Sequence, residues 1–490
     1  MAGSRAPASS PAARRATASP ASASYLAGDA QGAFESARAA LAQVEPGTGG
    51  LIEAELLLGF LMAGRQVPEL VAEVREMAAV ERRPRGVVTA AEVVRRQVIG
   101  LDGFLSGARE VARENALWVA DRIRNAAAGE VLPSMLAIGP AFTLIGIGAW
   151  EEAEEMIEAG LDRARRRGSL LETAECLHER VWLRWRHGDV LGALADIETI
   201  YELTEGAWDP AKVPMRAAQA HLLLARGDIE GAAAVLDLDP ELERRLPGTW
   251  GWPWVAQGRA AVALARNEHE KALEQACLAG ERLAEIDATS PEYIQWRSLA
   301  ARAAAAMGDE RLAEELASEE LEGGERIGAP RPRGTALAAL AELRIGPARI
   351  ETLREAELAL AEAGAELPRA HVLLAIGMEL RRARQVRESR EPLRRALDLA
   401  HRTGATAVAE RARAELRAAG GRLRRERATG PGALTPRERE IASLAAAGLG
   451  NVEIAERLFI TRKTVEGHLR AIFRKLGVSR REEIERAPDG

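Results

Sequence analysis

Chain-breaking sites recur along this 490-residue sequence at a nearly fixed interval, and that interval constrains the fold more than any other feature. They stand at Gly28, Gly64, Gly107, Gly148, Gly188, Gly227, Asn267, Gly308, Gly346 and Arg384, between 36 and 43 residues apart. A glycine can take the left-handed conformation that ends a helix. In Gly188-Asp189, Gly227-Asp228 and Gly308-Asp309, the following aspartate can cap the next helix by accepting a backbone N–H. Small residues come soon after, at Ala153, Ala193, Ala232, Ala272 and Ala313, where two helices need to approach closely. Met156, Ile157 and Leu161 lie at helical spacing and make a stripe that must be buried. One hairpin cannot hide such a stripe, so a beat of about forty residues predicts helical hairpins stacked into a solenoid. An irregular bundle of the same helices is the alternative. Pro/Gly stretches at 45–50, 237–240, 246–253 and 329–333 are expected to be loops.

Composition agrees with an all-α chain. Apolar residues make up 47% but aromatics only 4%, so the core is built from helix-forming Ala and Leu with Val and Ile. Trp182, Trp185, Trp208, Trp250, Trp252 and Trp254 are dense for such a chain. They are expected to pack between helices, with an effector pocket as the alternative. Cys176 and Cys277 have neither metal spacing nor a disulfide framework. No apolar run is long enough to span a bilayer, so no membrane partner is expected and the predicted location is cytoplasmic, with the nucleoid. Residues 1–24, rich in Ala, Ser, Pro and Arg, are expected to form a disordered tail.

The net charge is -6, so any affinity for nucleic acid must come from a local patch. That patch is expected at the C-terminal end. Residues 433–487 carry 11 Lys/Arg against 8 Asp/Glu, a net +3. A linker at 420–432 precedes them, with Arg422, Arg424, Arg425 and Arg427 ahead of Thr429-Gly430-Pro431-Gly432. Thr435 can cap a first helix, with Pro436 at its first position and Glu438 at the capping-box position, and Gly448 ends it. Asn451 can cap a second helix, which turns Ile454, Ala455 and Leu458 inward. After Phe459-Ile460, Thr461 can cap a third helix over 462–476, closed by Gly477, and residues 480–486 suit a short fourth.

The third helix has two faces. Val465, Leu469, Ile472 and Leu476 follow steps of four, three and four and make one buried stripe. Arg462, Lys463, Glu466, Gly467, Arg470 and Arg474 point away from it. A helix that is apolar behind and basic in front, set after a tight turn, fits the major groove of DNA. Arg470 is expected to meet guanine, Glu466 to accept from cytosine N4, and Gly467 to let the backbone approach base edges. Thr461, Arg462, Lys463, Thr464 and Arg474 are expected on phosphates, with Asn451 contributing from a helix N-terminus. His468 is assigned a packing role.

Leu434-Thr435-Pro436-Arg437-Glu438-Arg439-Glu440, Asn451-Val452-Glu453-Ile454-Ala455, Lys463-Thr464-Val465-Glu466-Gly467-His468-Leu469 and Arg474-Lys475-Leu476-Gly477-Val478 together resemble the LuxR-type helix-turn-helix. The sequence departs from that pattern at Val452, where the family often has a polar residue, and this removes one backbone contact. The Ala-rich hairpins, with Arg394-Arg395-Ala396-Leu397-Asp398-Leu399-Ala400 running into the linker, resemble the C-terminal part of the large ATP-binding, MalT-like regulators. The resemblance implies an all-α chain: a tetratricopeptide-like repeat domain at 25–419, then a four-helix LuxR-type domain at 433–487. It also implies a sequence-specific transcriptional regulator that binds promoter DNA, as a homodimer, with RNA polymerase and an unidentified effector of the repeats as further partners. None of the four lysines, Lys212, Lys271, Lys463 and Lys475, follows a glycine, so the Gly-Lys-[Ser/Thr] phosphate loop of that group is missing and no nucleotide cofactor is expected.

An enzyme is not expected. The motifs H-E-x-x-H, G-x-S-x-G, G-x-G-x-x-G and paired C-x-x-C do not occur, and His178-Glu179 lacks a second histidine at ligand spacing. A scaffold that uses the concave face of the repeats remains a rival to the regulator.

Overall fold

The computed structural model describes residues 30–43, 57, 67–79, 90–125, 134–204, 209–245, 251–420, 434, 436–458, 460 and 462–484. The described residues contain helices and no strand. The first helices are α1 (Ala30–Leu41), α2 (Val71–Ala79), α3 (Ala90–Ser106), α4 (Arg109–Arg124), α5 (Ser134–Gly146), α6 (Trp150–Arg167), α7 (Leu170–His187), α8 (Val190–Thr204) and α9 (Asp209–Ala225). Then come α10 (Ile229–Val235), α11 (Pro240–Arg245), α12 (Trp252–Ala265), α13 (His269–Glu285), α14 (Trp296–Met307), α15 (Glu310–Arg326) and α16 (Pro330–Leu340). The body ends with α17 (Gly346–Glu362), α18 (Glu366–Arg382), α19 (Val386–Thr403) and α20 (Thr406–Ala418), and α21 (Pro436–Ala446), α22 (Asn451–Leu458) and α23 (Arg462–Leu476) follow. None of them is long and apolar enough to cross a membrane.

The described breaker sites are helix stops, except Gly346, which opens α17. Gly107, Gly148, Gly188, Gly227, Asn267, Gly308, Gly346 and Arg384 all have positive φ, while Gly28 and Gly64 lie outside the described residues. A second set, Gly168, Asp287, Gly328, Gly364 and Gly404, also has positive φ; the first four fall between breaker sites and Gly404 lies beyond the last. The intervals 148–188, 267–308, 308–346 and 346–384 therefore each hold a second left-handed residue, whereas among the described residues 107–148, 188–227 and 227–267 hold none. At the Gly-Asp sites the aspartates cap as expected, with Asp189, Asp228 and Asp309 accepting the backbone N–H of Gly192, Gly231 and Leu312 at 3.0, 2.9 and 3.0 Å. At 329–333 the expected loop is absent. Pro330 and Pro332 lie in the first turn of α16, where a missing N–H leaves no helical bond unmade.

The repeats close on themselves rather than running out as an open ramp. The Thr406 hydroxyl, at the start of α20, donates to the Arg226 carbonyl at the end of α9, 2.8 Å away. Leu191 packs over Gly404. A side chain at Gly188 would meet Thr403 at 2.9 Å, so this position needs glycine both for its φ of +87° and for the approach of α19. One apolar cluster consequently joins Phe104 to Trp254 with Leu373 to Ala419.

Residues 286–295 lie between α3 and α7. The Ser290 N–H donates to the Leu105 carbonyl at 2.8 Å, and Arg186 donates to the carbonyls of Glu292 and Tyr293 at 3.1 and 3.2 Å. Burial lowers the Arg186 pKa to about 10, against the opposing pull of Glu292. Tyr293 joins the tryptophans here. Trp182 and Trp254 stand 4.5 Å apart between ring centroids, and the Trp254 indole N–H donates to the Tyr293 hydroxyl at 3.1 Å. These tryptophans pack; Trp208 and Trp250 lie outside the described residues.

Candidate nucleic-acid interface

Helices α21 to α23 have their own core. Leu434, Ile441, Ala445, Ile454, Leu458, Val465, Leu469, Ile472, Leu476 and Ile484 form a cluster separate from the body. The expected stripe on α23 is buried throughout, with Val465 and Ile472 at 0% exposure. Gly448 and Gly477 close α21 and α23 with positive φ. The Leu449 and Val478 N–H groups then reach back to the carbonyls of Leu444 and Phe473, which satisfies the helix ends. Lys475 binds the buried Glu438 carboxylate at 2.5 Å and pins α23 to α21. Thr435, the cap expected before Glu438, lies outside the described residues.

Arg462, Lys463, Gly467, Arg470 and Arg474 are exposed on the side of α23 opposite that core, and Thr464 and Glu466 are half-buried. Among the described residues nothing lies within 4 Å of the position a Gly467 Cβ would take, so the backbone there is open to a ligand. Arg462 and Glu466, one turn apart, form an ion pair at 2.8 Å. His468 is half-buried, and Thr461 lies outside the described residues.

Asn451 is the first residue of α22 rather than its cap. Gly450 takes the cap position, and its N–H donates to Glu453 at 2.6 Å. The Asn451 side-chain oxygen accepts from Arg481 instead, which also donates to the Leu449 carbonyl. Arg481 sits in a 3₁₀ turn, Arg481–Glu483, where a short fourth helix was expected. It is the functional candidate the sequence reading missed, because nothing local in Ser479-Arg480-Arg481 says that its partner lies 30 residues back. A shallow groove lined by Asn451, Glu466, Leu469, Arg470, Phe473 and Arg481 joins the N-terminus of α22 to the open face of α23. Beside it Val452 is half exposed and apolar. The groove thus brings Asn451 together with Glu466 and Arg470, while Lys463 and Arg474 stand elsewhere on the exposed face of α23.

Residues 432–486 match the family model described as bacterial regulatory proteins, luxR family. A Mycobacterium bovis protein named as an HTH-type transcriptional regulator, Mb0914c, is 40% identical over 80 residues, which is 16% of this chain and 8% of that protein. The oxygen regulatory protein NreC of Staphylococcus aureus is 51% identical over 51 residues, 10% of this chain and 24% of NreC. The chain thus spans only a small part of each curated relative it matches. The crystal structure of yeast Tom70 aligns over 81% of this chain and 88% of its own, at 15% identity and a TM-score of 0.30, too low to bear on the fold. The buried stripe, the open basic face and these matches agree that residues 432–486 are a LuxR-family helix-turn-helix domain.

Proposed function

We propose that this chain is a sequence-specific DNA-binding transcriptional regulator. The observation that carries the reading is the division of α23 within the family match: an apolar stripe sealed in the core, with Arg462, Lys463, Gly467, Arg470 and Arg474 open on the other side. Arg470 and Glu466 read base edges and Gly467 lets them approach. Arg462, Lys463, Thr464 and Arg474 hold phosphates, and Thr461 acts beside them. Asn451 donates from its side-chain amide, positioned by Arg481.

In this reading residues 433–487 are the DNA-binding unit, 420–432 a linker, and 25–419 a repeat domain that senses a signal or partner and mediates self-association. A homodimer on two half-sites follows from the reach of a single recognition helix, and RNA polymerase is the natural partner of a promoter-bound protein. The filling of the space between α3 and α7 by residues 286–295 disfavours a scaffold that would use that inner face.

Replacing Arg470 by Ala tests the reading. Selection of duplexes from a random pool should yield a consensus for the parent chain that the variant loses at one base pair, with affinity for the parent consensus down by ~1–3 kcal/mol. An unchanged consensus and affinity would exclude the groove assignment.

A further inference from the structure

The DNA-binding unit rests on the repeat body. Helix α21 lies against α8. Arg184 on α7 stands 3.6 Å from Glu440 on α21, and Arg165 at the end of α6 donates to the Arg457 carbonyl at 2.9 Å. The first contact pairs opposite charges, and the second sets a cation on a backbone carbonyl at a helix end. Arg457 lies in the last turn of α22, where unpaired carbonyls gather partial negative charge and a cation is favoured.

On the body side the clamp is built in advance. Asp196, at 0% exposure, accepts from Arg180 at 2.8 and 3.0 Å and from Arg184 at 2.6 Å. Arg184 also donates to the Gly192 carbonyl at 3.1 Å and lies 3.7 Å from Asp189. Two guanidinium groups thus share one fully buried carboxylate. Burial works against the charge on Arg180, and Asp196, Glu158 and Glu440 together outweigh it and raise its pKa. Glu440 is the only one of those three acids that comes from the DNA-binding unit.

In the same arrangement Lys463, Gly467, Arg470 and Arg474 remain exposed. Docking and groove reading therefore use different faces. We propose that the α6–α8 surface of the repeat body is a docking platform for the DNA-binding unit, held by Arg165 and Arg184, and that the docked form presents its groove-reading helix outward and binds duplex as it stands. The second half of this proposal rests on the DNA-binding reading above. An ion pair and a hydrogen bond at an accessible surface make a shallow clamp, sensitive to salt and to anything bound nearby.

The test uses the full chain carrying Cys277→Ser, Glu202→Cys on α8 and Glu456→Cys on α22. Both introduced sites replace exposed residues. Cys176 can stay, since burial raises its thiol pKa to about 12. Resonance transfer between dyes at the two cysteines reads docking. The double variant Glu440→Gln, Arg165→Gln keeps the net charge constant, so a change in DNA affinity is not a bulk charge effect. Transfer should be high in the parent and at least halve in the double variant, and 0.5 M NaCl should lower it in the parent. Affinity for a duplex selected by the parent should stay level or fall. Transfer that the double variant leaves unchanged would overturn the docking surface. A more than threefold rise in affinity would show that the docked form hides the reading helix. If no duplex is bound by any variant, the DNA-binding reading fails while the transfer measurement still decides the docking.

Discussion

Glu466→Ala should weaken binding to the selected duplex while strengthening binding to all others. In the free protein Glu466 holds Arg462 at 2.8 Å, with side chains 34% and 68% exposed. An exposed helical pair at this spacing is worth ~0.3–0.5 kcal/mol. Removing Glu466 releases Arg462 and takes a negative charge off the DNA-facing surface. On a scrambled duplex the variant should gain about that much, roughly a twofold rise in affinity, and the slope of log K against log salt should steepen by up to ~0.9, as for one added phosphate contact. On the selected duplex it also loses an acceptor for cytosine N4, ~1–3 kcal/mol. The net loss there is about 0.6–2.6 kcal/mol, or roughly 3- to 80-fold. Fluorescence anisotropy titrations of both duplexes across a salt series measure all three quantities. Equal changes on the two duplexes, or a salt slope that does not move, would refute the assignment of Glu466 to a base and of Arg462 to a phosphate.

Lys463→Ala should weaken selected and scrambled duplexes alike and flatten the salt slope by ~0.9, read in the same titrations. Ile472→Ala removes a side chain with 0% exposure from the core behind α23. It should cost ~2–5 kcal/mol and abolish duplex binding while the helical circular dichroism of the body persists, because the two cores are separate. Glu320 makes stability depend on pH. Burial raises its pKa from 4.5 to about 7, against hydrogen bonds from Ser298 and Thr335. An acid raised in this way stabilises the fold below pH 4.5, and the contribution is lost as pH rises through about 7. The full difference is about 3 kcal/mol, so urea midpoints should fall between pH 5 and pH 8, and Glu320→Gln should remove most of that fall.

The helical class, the two-helix beat and the two faces of α23 were legible in the sequence because their signals are local. A left-handed stop, a cap and a stripe at helical spacing each depend on residues within a turn or two of one another. The second set of positive-φ residues, Gly168, Asp287, Gly328, Gly364 and Gly404, falls off the forty-residue beat of the first. Pro330 and Pro332 were misjudged because proline marks a loop or a helix start equally well.

The partners of the site were less legible. Glu438 also reaches Lys475, and Asn451, which reads as a cap, goes to Arg481, 37 and 30 residues away in sequence. Charged side chains on a helix have several partners within reach of their type, and only the packed arrangement selects one.

The sequence by itself determined that the chain is helical, where most helices stop, and which side of α23 is apolar, since these follow from backbone conformation and the period of the helix. Tertiary structure decided the closure of α20 onto α9, the filling of the interior by residues 286–295, and the pairing of Arg184 with Glu440. Those contacts join residues 180 to 256 positions apart or cross between α3 and α7, and no local preference encodes them; they form only where burial and charge pairing outweigh the chain entropy lost in bringing such distant segments together.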